Sequence, residues 1–145
     1  MTDYEIKVQN FRCLNAVAKK GETVFVGSSL CELFPISEML QNVEPRIRVY
    51  NRGIGGDVTD GLLRRMDESI FALEPEKVFI NIGTNDISSP GYTRERLLAQ
   101  YRKILEQIKA RLPETKIYVL SYYPVNRALP GADPEQVAAM FGSRT

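Results

Sequence analysis

The stretch that decides the fold is KVFINIGTND, Lys77 to Asp86. Four of its first six residues are apolar, three of them consecutive, and its last four are small or polar. Strict alternation would mark a strand with one wet face. A near-continuous apolar run instead marks a strand buried on both faces, as in a parallel sheet. The same design recurs on either side. TVFV (23–26) runs into Gly27-Ser28-Ser29-Leu30, and IRVYN (47–51) runs into Arg52-Gly53-Ile54-Gly55-Gly56-Asp57. KIYVLS (116–121) reads as a fourth strand.

Helical patterns fill the intervals. Residues 3–20 place Phe11, Leu14, Val17 and Ala18 at helical spacing, closed by Gly21 after two lysines. A short helix is expected over 35–42, with Pro35 near its first turn. Leu62, Leu63, Met66 and Ile70 predict an amphipathic helix over 58–73. The helix over 93–112 is the clearest, with Leu97, Leu98, Tyr101, Ile104, Leu105, Ile108 and Leu112 on one side and Pro113 to end it. Residues 134–141 read as the start of another. No repeat or linker divides the chain, so 1–145 is expected to be a single domain. Alternating strands and helices specify a parallel sheet with right-handed crossovers and helices on both faces: a three-layer α/β fold of flavodoxin-like type.

Composition narrows the function. Net charge is +1 with acidic and basic residues interspersed, so nothing suggests a nucleic-acid partner. The first ten residues, MTDYEIKVQN, are too polar for a signal peptide. No apolar run nears the roughly 18 residues of a membrane span, and a cytoplasmic location is expected. Cys13 and Cys31 have no metal-ligand spacing and are too few for a disulfide scaffold, so both are expected as reduced thiols. The sequence contains no histidine. It therefore supplies neither a histidine metal ligand nor a histidine general base.

In a parallel sheet the loops after successive strands meet at one edge, where ligands bind. Here that edge gathers Gly27-Ser28-Ser29, Gly53-Ile54-Gly55-Gly56 and Gly83-Thr84-Asn85-Asp86. Each loop alone could be an ordinary turn. The glycines miss the dinucleotide pattern G-x-G-x-x-G, because Val58 holds the third position. Asp57, just before an apolar-periodic stretch, is expected to cap a helix. Asp86 is expected to brace its loop, since an ordinary carboxylate is a weak base toward a serine hydroxyl.

Taken together, the three loops resemble the blocks of the SGNH, or GDSL-type, hydrolases, a family of esterases, lipases and acylhydrolases. Gly27-Ser28-Ser29-Leu30 matches G-D-S-[LI], with Ser28 in place of the aspartate. Asn51 and Gly56 match N-x-x-x-x-G, and Gly83, Asn85 and Asp86 match G-x-N-D. The resemblance implies that Ser29 is the nucleophile. It also implies an oxyanion hole made by the backbone N–H groups of Ser29 and Gly56 and the carboxamide of Asn85. Such donors are worth about 3–4 kcal/mol each to the transition state. Ser28, Arg52 and Tyr122, with Tyr123, are expected to line the mouth for a small ester substrate; no metal or organic cofactor is implied. The family's fourth block, D-x-x-H, which supplies the acid–base pair, is not in the chain. The resemblance therefore implies a domain incomplete at its C-terminal side, with four of the usual five strands and little activity by itself. The alternative is a non-catalytic ligand-binding or interaction domain on the same scaffold. An uncovered strand 116–121 is expected to favour self-association.

Overall fold

Thr2 opens the first helix. Its hydroxyl accepts from the Glu5 amide at 3.2 Å, and the Glu5 carboxylate accepts from the Thr2 amide at 2.8 Å. This reciprocal box starts α1, Asp3–Asn15. The computed structural model describes residues 1–43 and 45–123; the helix expected over 134–141 lies outside them. The first helix ends earlier than its spacing suggests. After Asn15 the amides of Val17 and Ala18 bond three residues back instead of four. The Asn15 side chain is drawn inward, donating to the Glu68 carbonyl at 2.6 Å and accepting from Arg52. Only Phe11 of the expected apolar face is buried; Leu14 and Val17 stay exposed.

Among the described residues four parallel strands follow: β1 (Thr23–Gly27), β2 (Val49–Gly53), β3 (Lys77–Asn81) and β4 (Lys116–Val119). They lie in the order β2-β1-β3-β4. The second strand begins two residues later than its composition predicts, and the fourth stops at Val119. One sheet face carries the core. Val24, Val26, Val78 and Ile80 pack there with Leu62, Met66, Ile70, Ile104 and Ile108. Leu62 comes from α4 (Thr59–Arg64), Met66 from α5 (Met66–Ser69), Ile70 from the position just after it, and Ile104 and Ile108 from α7 (Arg94–Arg111), and α1 packs on α5. The other face bears a row of rings, Phe25 on Phe79 on Tyr118, each pair stacked at 4.6 Å. Phe34 reaches Phe25 from the connection between α2 (Ser29–Glu32) and α3 (Ile36–Met39). Helices thus flank the sheet on both sides, in the expected α/β layering. Among the described residues, no helix is long and apolar enough to cross a membrane.

The helix expected over 58–73 is broken into α4, α5 and a 3-10 turn, Phe71–Leu73. The break falls at Arg65, whose backbone leaves helical geometry while its side chain turns into the core. Nor does Asp57 cap α4. Asp86 bonds the first turn from across the site, accepting from the Thr59 amide at 3.0 Å and the Thr59 hydroxyl at 2.5 Å. The bracing role expected of Asp86 is therefore seen, and Asp57 is engaged elsewhere.

Candidate active site

The sheet register sets Gly27 between Gly53 and Asn81, so the ends of β1, β2 and β3 stand side by side. Space is the reason for glycine at two of these places. A Cβ on Gly27 would lie 2.1 Å from the Asn81 carbonyl oxygen, and one on Gly53 would lie 2.3 Å from the Glu32 amide nitrogen. With no side chains between them, α2 starts directly above the strand ends.

Ser29 is the first residue of α2 and is half-buried. Ser28 is 2% exposed; its amide donates to the Asn81 carbonyl at 3.2 Å, and its carbonyl accepts from the Glu32 amide at 2.9 Å. The structure therefore puts Ser28 inside the strand–helix junction and not on a substrate wall. Glu32, one turn after Ser29, accepts from the Gly55 amide at 2.7 Å and pairs with Lys7 at 2.9 Å. This ties the serine turn to the glycine loop. The Cβ position of Gly55 is 3.9 Å from the Ser29 Cβ. Asn51 holds the same turn by donating to the Cys31 carbonyl at 2.5 Å while accepting from the Gly53 amide.

Gly56 is exposed and has φ +74°, with no atom within 4 Å of its Cβ position. Here the backbone conformation, not space, calls for glycine. Asn85, half-buried in α6 (Thr84–Ile87), donates one carboxamide hydrogen to the Asp57 carbonyl at 2.9 Å. That bond orients the amide beside Gly56, and a carboxamide nitrogen carries a second hydrogen. The three predicted loops therefore meet as a chain of contacts from Ser29 to Gly55, Gly56, Asp57 and Asn85.

The predicted mouth residues separate. Tyr122 packs its hydroxyl against Gly83, where a Cβ would stand 2.3 Å from it, and bonds the Tyr101 side chain. Burial first, and Tyr122 next, push the Tyr101 phenol well above its usual range. Arg52 lies away from any mouth. It is 4% exposed beneath α1, donates to Asn15 at 2.9 Å, and lies over the rings of Phe11 and Tyr50. Arg52 lies within β2, two residues after Tyr50 and beside Val26 in the register, so its side chain points to the face covered by the core helices. Cys31 is buried, and desolvation pushes its thiol up to about 11, so it is neutral at ordinary pH. Both cysteines are free.

Two residues of the site escaped the sequence reading: Glu32 and Arg65. Arg65 is 1% exposed and pairs with Asp57 at 2.7 Å. Burial raises the Asp57 carboxyl, and the guanidinium opposes that rise. A signal for Arg65 was present: it stands three residues after Leu62 and four before Ser69, on the inward side of the apolar pattern.

Comparison with known proteins identifies the family and the fold. The model of the GDSL-like Lipase/Acylhydrolase family matches residues 34–142, a span that holds Gly56 and Asn85 and begins after Ser29. Platelet-activating factor acetylhydrolase IB subunit alpha1 from Bos taurus and from Homo sapiens is 30% identical over 107 residues, 73% of this chain and 45% of theirs. The chain thus spans about half the length of the curated relatives it matches. A solved structure from Streptococcus pneumonia, provisionally described as a platelet activating factor, aligns with TM-score 0.75 and 27% identity over 97% of this chain and 67% of its own. A GDSL-like lipase from Bacteroides thetaiotaomicron, 21% identical, shares the fold with TM-score 0.69 over 94% of this chain and 70% of its own. With a family model covering most of its length, the chain belongs to the GDSL-like lipase/acylhydrolase family.

Proposed function

We propose that this chain carries the acyl-accepting site of a serine ester hydrolase. The observation that supports it is the meeting of Ser29, the Gly55–Gly56 turn and Asn85 at one sheet edge. In this reading the Ser29 hydroxyl oxygen attacks the ester carbonyl carbon. The carbonyl oxygen takes the negative charge, facing the amides of Ser29 and Gly56 and the free hydrogen of the Asn85 carboxamide. The intermediate collapses, the alcohol leaves with a proton, and water then cleaves the acyl-serine. The half-buried setting of Ser29 and the names of the acetylhydrolase relatives favour small acyl groups.

The hydroxyl proton needs an acceptor, and these 145 residues contain no histidine. An oxyanion hole and binding without the base leave roughly 10³–10⁴-fold catalysis over water. Turnover by this polypeptide alone is therefore slow. The same absence favours a second reading, ligand binding without turnover on the same scaffold.

Added imidazole decides between them. The chain is incubated with p-nitrophenyl acetate with and without imidazole, and acetylation is mapped by peptide mass spectrometry. Imidazole-dependent acetyl transfer to Ser29, absent in Ser29→Ala, is the expected result. Saturable ligand binding with no label on Ser29 would overturn the hydrolase reading in favour of the second.

A further inference from the structure

We propose that Arg65 is the positioning residue of this site, one buried guanidinium that holds the carbonyls of Gly27 and Arg52 and the carboxylate of Asp57 from behind the serine and glycine loops. The inference rests on the ester-hydrolase reading for its catalytic consequence and on the geometry alone for the positioning. Nε donates to Asp57 at 2.7 Å. One terminal nitrogen donates to the Arg52 carbonyl at 2.6 Å and the Ser69 hydroxyl at 2.8 Å, and the other donates to the Gly27 carbonyl at 2.9 Å. Three of the four partners are close in sequence to a group of the site. Gly27 stands two residues before Ser29. Arg52 begins the turn that ends at Gly56. Asp57 follows Gly56, and its own carbonyl orients Asn85.

Burying a charge with its partner is weak support for stability, because well-packed apolar residues often serve as well. What they do not reproduce is a rigid planar fork with five donors in fixed directions. The fork satisfies acceptors from β1, β2 and the glycine loop at once, so a shift in any one is transmitted to the others. Space is cleared for the arrangement. A Cβ on Gly61 would lie 1.7 Å from the Asp57 carboxylate, so α4 passes over the ion pair only with glycine there. Lysine at 65 keeps the charge but has no fork. Serine-loop and carboxamide donors displaced by a fraction of an ångström lose alignment with the oxyanion, and a 1 Å error can cost about 100-fold in rate.

The test compares the chain with Arg65→Lys by two readouts. The first is the imidazole-assisted rate of Ser29 acetylation by p-nitrophenyl acetate. The second is the ¹⁵N–¹H resonances of the Asn85 carboxamide and of the Ser29 and Gly56 amides, with the Val78 and Ile104 amides reporting the core. We expect acetylation to fall by about 10- to 100-fold, with the three site resonances displaced and the core resonances in place. A folded Arg65→Lys protein with a rate within about twofold of the parent and unmoved site resonances would overturn the proposal. Should Arg65→Lys fail to fold, Ser69→Ala, which removes one of the guanidinium's anchors and spares the charge, is judged by the same two readouts. Should the parent chain show no Ser29 acetylation, the hydrolase reading fails on that arm, while the resonances still decide whether Arg65 holds the loops.

Discussion

Replacing Gly27 with alanine tests whether the site depends on backbone-to-backbone packing at the strand ends. The new Cβ would lie 2.1 Å from the Asn81 carbonyl oxygen and 2.7 Å from the Cys31 sulfur, where ordinary contact begins at 3.4 Å. Relief at the carbonyl requires β1 and β3 to part by 3.4 − 2.1 = 1.3 Å. That movement breaks the Ser28 amide bond to Asn81, now 3.2 Å, and strains the Ile54 and Arg65 bonds to the Gly27 carbonyl. A lost bond costs about 0.5–1.5 kcal/mol, and a buried donor left unpaired about 1–3 kcal/mol. Alanine's lower backbone entropy in the unfolded chain returns roughly 0.5–1 kcal/mol. These terms leave a net loss of about 0.5–4 kcal/mol, to which the strained Ile54 and Arg65 bonds and the Cys31 contact add, against the roughly 5–15 kcal/mol that holds a domain together. Gly21→Ala is the control. Its φ is +80° and nothing lies within 4 Å of its Cβ position, so it carries conformational strain without a clash, about 1–2 kcal/mol. Urea unfolding followed by circular dichroism measures both. A Gly27→Ala loss below about 1 kcal/mol, or a larger loss for Gly21→Ala, would refute packing as the reason for glycine at the end of β1.

Two further predictions concern the core and the sheet edge. Burial raises the Cys31 thiol from 9.0 to about 11, so the folded chain keeps a proton that the unfolded chain releases. Its contribution is full below pH 9.0 and is lost as pH rises through about 11, roughly 2–3 kcal/mol in all; unfolding midpoints across that range should lose this slope in Cys31→Ala, and an unchanged slope would count against it. Along β4, Tyr118 is 42% and Val119 50% exposed, and among the described residues β4 pairs with β3 alone. We therefore propose self-association through residues 116–121, seen as concentration-dependent mass in sedimentation equilibrium and suppressed by Val119→Lys; a monomer at every concentration would rule it out.

The reading from sequence succeeded where one local rule sufficed. KVFINI is a buried strand whatever surrounds it, and the 93–112 stretch is a helix because its apolar spacing, Thr93 cap and Pro113 stop agree. The same holds for the side-by-side ends of β1, β2 and β3, which follow from parallel strands alone. The residues that align those groups answer to no local rule. Arg52 reads as a residue of the substrate mouth and Arg65, beside Arg64, as half of a solvated pair, yet both are buried. Asp57 stands where a helix cap belongs, and its carboxylate instead faces Arg65 from eight residues away. Asp86 supplies the bonds to α4 from 27 residues away. Each assignment is settled by a partner distant in sequence, and in each the polar group is buried or half-buried and must find that partner or be costly.

That asymmetry has a consequence for which substitutions the site tolerates. The groups that would face substrate, Ser29, Gly56 and Asn85, are half-buried or exposed, and their neighbours can adjust. The groups behind them, Gly27, Gly53, Asp57, Arg65 and Asn81, are buried and close-packed, so a change there has nowhere to relax. Substituting Ser29 or Asn85 by alanine should remove chemistry at little cost in stability. Substituting the supporting layer should lower stability and site alignment together. A plot of unfolding free energy against acetylation rate would therefore separate the two groups into different quadrants, and their falling on one common line would mean that the supporting residues act through the fold alone.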